Sequence, residues 1–120
     1  MNTVEQTVRD YLISQLDEIP VYVKVPENPP AAFVQMQRTG THRKNIAIVD
    51  VQLTLDIIGE SYTDTLEIAE RVAIALSKFD DNNHVWLPSD GFVGGPTFNP
   101  DPTLEVPRFT VTVAVRAAAT

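Results

Sequence analysis

Ile46-Ala47-Ile48-Val49-Asp50-Val51-Gln52-Leu53-Thr54-Leu55-Asp56-Ile57 is the stretch that decides the fold. Positions 47, 49, 51, 53, 55 and 57 are all apolar, and Asp50, Gln52, Thr54 and Asp56 alternate with them. A period of two over about a dozen residues predicts a β-strand with one dry and one largely wet face. At about 3.3 Å per residue it would run ~40 Å, long for a domain of this size. Gly59 breaks the pattern. Ser61 is placed to accept from the N–H of Asp64, whose carboxylate can reach back in a variant of the capping box. Leu66, Ala69, Val72, Ala73 and Leu76 then form one stripe at helical spacing, with Phe79 as a closing contact. Ala69 and Ala73 are small enough to let that helix lie close to a sheet. These apolar residues read as scaffold.

On the N-terminal side, Val4, Val8, Leu12 and Leu16 repeat every four residues, with Tyr11 and Ile19 beside them. The spacing predicts a helix from Thr3 to Glu18, capped by Asn2 or Thr3 and closed at Pro20. Val21 to Val25 alternates as a short strand, and Pro26, Pro29 and Pro30 enforce an extended connection. A second strand is expected from Ala32 to Arg38. Thr39 to Asn45 reads as the loop that follows, carrying Gly40 and the basic run His42-Arg43-Lys44.

On the C-terminal side, Asp80 to Asn83 ends the second helix. Val85 to Leu87 is expected as a short strand in which Trp86 anchors its loop to the core. Asp90-Gly91 reads as a turn, with Phe92-Val93 as the return strand of a hairpin interrupted by Gly94-Gly95-Pro96. The last strand runs from Phe109 to Val115, and Ala117 to Thr120 is expected to fray. The element order predicts an α+β domain over residues 1–120: a mostly antiparallel sheet of four to five strands covered by two helices.

Composition limits the functions open to such a domain. The 120 residues suffice for one core, and no apolar run approaches the ~20 residues of a membrane span. No basic region followed by an apolar run opens the chain, so a secretory signal is not expected and cytoplasm is the default. With no cysteine, disulfides and thiolate chemistry are excluded. A net charge of −7 argues against a face that grips nucleic acid, though not against a channel through which it slides.

Nor do the residues assemble a catalytic set. His42 and His84 have no partner at metal-ligand spacing, and no serine lies in a nucleophile elbow. Gly94-Gly95-Pro96 lacks the Gly-Lys-Ser/Thr and following helix of a phosphate loop. Asp50 and Asp56 share a strand face, but six residues of extended chain separate them by ~20 Å, too far for paired acid–base work. No enzymatic activity, cofactor or metal is expected.

The chain resembles the tail terminator (tail completion, head–tail joining) proteins of long-tailed bacteriophages. The resemblance runs over nearly the whole sequence. It lies in the N-terminal helix, Val21-Tyr22-Val23-Lys24-Val25-Pro26 with Pro29-Pro30 and Phe33-Val34, the strand ending Ile57-Ile58-Gly59, and the helix from Tyr62. Its most telling segment is Gly95-Pro96-Thr97-Phe98-Asn99-Pro100-Asp101-Pro102 with Val106-Pro107-Arg108-Phe109. The resemblance implies a structural protein of the virion, assembled in the host cytoplasm. It would form a ring, usually hexameric, that caps the tail tube, meets the tube protein on one side and the head connector or stopper on the other, and lets DNA pass. A closed ring needs two different surfaces per protomer. Candidates are the strand face bearing Ile46 and Ile48, the proline-rich excursion from Pro88 to Pro107, and the basic group Arg38, His42, Arg43 and Lys44. That group reads either as a solvated hairpin tip or as a contact for an acidic partner. Another phage neck protein, such as a head-completion protein or stopper, and a small ligand-binding α+β domain are the alternatives.

Overall fold

Three strands of eleven residues form the frame of the computed structural model, which describes residues 3–103 and 105–118. They are β2 (Phe33–Arg43), β3 (Ile48–Ile58) and β6 (Arg108–Ala118). β3 lies between the other two and pairs antiparallel with both. Its register with β6 is unbroken from Ile48 opposite Ala118 to Ile58 opposite Arg108. β1 (Val21–Tyr22) adds to the outer edge of β2 in parallel. β4 (Val85–Trp86) and β5 (Val93–Phe98) lie one after the other along the free edge of β6. The helices are α1 (Val4–Leu16) and α2 (Tyr62–Ser77). The expected α+β class holds: a mostly antiparallel, six-stranded sheet with two helices. No helix among the described residues is long and apolar enough to cross a membrane.

The period-two pattern does what it predicts. Val51, Leu53, Leu55 and Ile57 of β3 and Phe109, Val111, Val113 and Val115 of β6 are buried. Register partners share a face, so these side chains stand side by side under the helices, with Val34 and Met36 of β2 in the same layer. α2 adds Ala69, Val72, Ala73 and Leu76, and α1 adds Val8, Leu12 and Leu16. The helices are also bonded to each other. The Tyr11 hydroxyl donates to the Ala75 carbonyl at 2.7 Å, and its ring meets Phe79 edge-on at 5.0 Å. Burial pushes the Tyr11 hydroxyl pKa up. Arg71 donates to the Leu16 carbonyl at 3.3 Å. Both helix starts are capped, although at α2 the Asp64 carboxylate makes no bond back to Ser61 and the expected box is only half formed. Ser61 Oγ accepts from Asp64 N–H at 3.1 Å, and the full reciprocal box forms at α1 between Thr3 and Gln6. Asn2, the other cap candidate, lies outside the described residues.

Several boundaries differ from those the sequence predicts. α1 ends at Leu16 because Asp17 adopts a positive φ of 56°, three residues before Pro20 can act. The strand expected from Val21 to Val25 keeps only two paired residues, and Val23 is exposed. The central strand starts at Ile48, not Ile46. The Asn45 side chain accepts from the N–H groups of Ala47 and Ile48, at 2.8 and 3.0 Å, and folds the chain into a turn there.

Thr39 to Arg43 is strand, not loop. A bulge between Arg38 and Gly40 absorbs one extra residue and β2 continues. β4 and β5 do not form a hairpin with each other, because each pairs with β6. Val85, not Trp86, enters the core; Trp86 is half-buried opposite Arg116. Gly94-Gly95-Pro96 stays within β5 across a register shift and contains a cis Gly95–Pro96 bond. Gly95 has φ 96° and packs against the Thr110 carbonyl where a side chain would sit. Ala117 and Ala118 belong to β6, and Ala119 and Thr120 lie outside the described residues.

Candidate functional site

Both helices pack on one face of the sheet, so the opposite face is left to polar side chains. Working across β2, β3 and β6, its rows are Gln35–Asp56–Thr110, Gln37–Thr54–Thr112, Gly40–Gln52–Ala114 and His42–Asp50–Arg116. Short bonds tie the rows together. Thr39 and Thr54 share a hydroxyl–hydroxyl bond of 2.8 Å, and Thr110 donates to Asp56 at 3.0 Å. Gly40 and Ala114 flank Gln52 with little side-chain bulk, leaving a shallow depression that His42, Asp50 and Val51 also line.

Asp50 is the hub of the last row. Arg116 donates to it twice, Nε at 2.7 Å and Nη2 at 3.3 Å, in the planar fork that a guanidinium makes with a carboxylate. The same Nη2 reaches Asp90 at 3.4 Å, and Lys44 Nζ stands 3.9 Å from Asp50 on the other side. The Arg116 hydrogen bond holds the Asp50 carboxyl below the usual carboxylate value, with Lys44 and His42 contributing, and it raises Arg116 in turn. One carboxylate thus joins the ends of β2, β3 and β6 to the turn before β5. Asp50 and Asp56 occupy separate networks, so the two carboxylates do not act as a pair.

The six residues singled out from the sequence do not form one cluster. Arg38 points to the helix side and pairs with Glu5 of α1 at 2.6 Å. Burial pushes the Glu5 carboxyl up, but the hydrogen bond from Arg38, a backbone hydrogen bond and the Arg38 charge together outweigh it, and the net shift is down. His42 lies in the Asp50 row on the open face. Arg43, one residue on, falls on the helix side opposite Val49, and its side chain makes no ion pair among the described residues. Lys44 leaves the strand beside Asp50. Ile46 sits in the turn with 92% of its surface exposed, and Ile48 is half-buried at the start of β3. What remains at the exposed end of the hairpin is Ile46 with Arg43 and Lys44.

Two features carry no sequence signal of their own. Arg116 became legible only once the β3–β6 register was known, since 66 residues separate it from Asp50. The second is an aromatic patch at the far end of the sheet, where Tyr62, Phe98 and Phe109 stand mutually 5.1–5.3 Å apart. Phe109 is buried, but Tyr62 and Phe98 are 53% and 47% exposed. The excursion 99–107 closes beside it. Arg108 holds that segment by donating to the Asn99 carbonyl at 2.7 Å, and Gly59 N–H donates to the Pro107 carbonyl at 3.4 Å. Among the described residues no group of three or more His, Cys, Asp or Glu is placed to hold a metal ion. Comparison with protein-family models and with curated proteins finds no match in either.

Proposed function

We propose that this chain is a structural protein of a long-tailed bacteriophage, the terminator that caps the tail tube and joins the tail to the head. In this reading six copies close a ring in the virion. One side of the ring stops growth of the tube protein, and the other receives the head connector or stopper. The role is one of assembly, not of catalysis. The observation that carries it is the exposed turn of the β2–β3 hairpin, which presents a bare isoleucine. Ile46, 92% exposed at that turn, offers apolar surface that a contact with a neighbouring copy would remove from water. The segments that resemble tail terminators point the same way. The uncharged Gln and Thr rows of the open face, in a chain of net charge −7, suit a surface past which DNA slides without being held.

The test is assembly on its target. Purified protein is added to growing tail tubes of the tube protein encoded in the same genome, and length and stoichiometry are read by electron microscopy and native mass spectrometry. Tubes of arrested length bearing a six-fold cap are expected. Tubes that elongate unchanged, with the protein a fixed dimer throughout, would refute the reading, because a two-fold contact uses the same patch on both partners.

A further inference from the structure

The hairpin tip and the aromatic patch are matched in chemistry and lie at opposite ends of the sheet. The tip joins Ile46, the most exposed large apolar residue among those described, to Arg43, which has no ion pair among them, and the weakly held Lys44. The patch offers Tyr62 and Phe98, and Val106, 38% exposed, lies three residues before Phe109 in the chain. In the chain, Glu60 and Asp64 lie two residues either side of Tyr62, and Glu105 directly precedes Val106. All three acidic residues are exposed and free of ion pairs among the described residues. The Gly59–Pro107 bond brings the segments of Glu60 and Glu105 together.

The two surfaces cannot meet within one molecule. The tip adjoins Ile48, and the patch adjoins the other end of β3, where Ile58 pairs with Arg108. Eleven residues of strand place these ends about 33 Å apart, in a body whose longest dimension is 44 Å. A contact between them therefore needs a second copy.

We infer that copies of this chain associate head to tail, with Ile46 of one copy seated on the Tyr62–Phe98 patch of the next and Arg43 and Lys44 facing Glu60, Asp64 and Glu105. The ring reading supplies the closure; the contact requires only a second copy. An aliphatic side chain on two tilted rings buries apolar area on both sides, and the flanking charges set orientation and suppress the tip-to-tip alternative, where like charges would face. Because tip and patch differ, the contact is heterologous. It closes into a ring where the rotation between copies permits, and otherwise extends as an open chain.

The absence of cysteine makes a direct test available. Ile46→Cys and Phe98→Cys variants are made singly, mixed and oxidised, and the dimers are mapped by mass spectrometry. The expected product is the mixed 46–98 disulfide in clear excess over 46–46 and 98–98. In parallel, Arg43→Glu with Lys44→Glu should weaken association of the otherwise unmodified chain by about tenfold or more. Adding Glu60→Lys, Asp64→Lys and Glu105→Lys should restore it, a rescue that a merely misfolded tip would not give. Mixed crosslinks in open chains would support the contact while the ring reading fails. Rings that form without the mixed crosslink would overturn the contact and leave the ring reading intact. Association indifferent to the charge reversals, or a wild-type chain that stays monomeric up to millimolar concentration, would overturn the inference.

Discussion

Leu76→Ala tests the helix–sheet packing on which every other feature depends. Leu76 is fully buried on the last turns of α2, in the same core as Leu12, Val72 and Phe79. Removing its outer carbons forfeits about 2 kcal/mol of transfer free energy at roughly 0.8 kcal/mol per buried CH2 group. The void adds a second cost that depends on whether its walls can collapse, and here they are held. α1 is tied to α2 by the Tyr11–Ala75 bond, the Tyr11–Phe79 ring contact and the Arg71–Leu16 bond. The sum falls in the middle of the observed range for such changes, about 3–4 kcal/mol.

For a domain of this size that loss lowers Tm by roughly 10–15 °C. Urea unfolding followed by Trp86 fluorescence and far-UV circular dichroism measures it, with an unchanged dependence on denaturant expected. Ile74→Ala is the internal control: two residues earlier on the same helix, 54% exposed, it should cost less than about 1 kcal/mol. Equal effects of the two substitutions, or a Leu76→Ala cost below about 1 kcal/mol, would refute the assignment of the buried face.

Two further perturbations address the ends of the sheet. Asp50→Asn should cost about 1 kcal/mol at neutral pH, the partial exposure of the pair limiting its worth. Because the folded carboxyl is depressed below 3.8, its stabilisation is complete above that value and is lost as pH falls through the lowered one. The gap in Tm between wild type and variant should therefore be flat from pH 7 to about 5 and shrink below about 4; a gap independent of pH would refute the role given to the carboxylate. Gly59→Ala would drive a methyl group into the hydroxyl of Thr65, which is buried and donates to the Ser61 carbonyl at 2.5 Å. A loss of about 1–3 kcal/mol is expected in urea unfolding, and an unchanged midpoint would show that the turn into α2 adapts freely.

The layers of the fold were legible because each rests on local periodicity. Val51, Leu53, Leu55 and Ile57 announce their shared face whatever they pair with, and so do Val72 and Leu76 on α2. The interaction surface was only partly legible. Counting in twos from Val34 and Met36 puts His42 on the core side and Arg43 on the open one, but the bulge at Thr39 reverses both. A bulge costs one residue and leaves no fixed mark, so the basic run read as one cluster where the structure divides it. The Asp50–Arg116 fork and the Tyr62–Phe98 patch depend on strand register and on which segments meet at a sheet end. Neither is a property of any short window of sequence. Ile46 was read as part of the strand; Asn45 moves it into the turn.

One consequence of the one-sided sheet concerns how such a chain drifts over evolutionary time. Along β3 and β6 alternate positions answer to different constraints. Positions such as 53, 55, 111 and 113 are confined to apolar side chains of suitable volume, whereas 52, 54, 112 and 114 need only suit water or whatever the open face meets. Descendants of one ancestor would keep a binary rhythm while exchanging letters freely on both sides of it, because Val, Ile and Leu substitute for one another in the core at modest cost. Identity between relatives would fade much faster than shape. A library that randomises Gln52, Thr54, Thr112 and Ala114 together should retain a large folded fraction, and the same treatment of their buried neighbours should not.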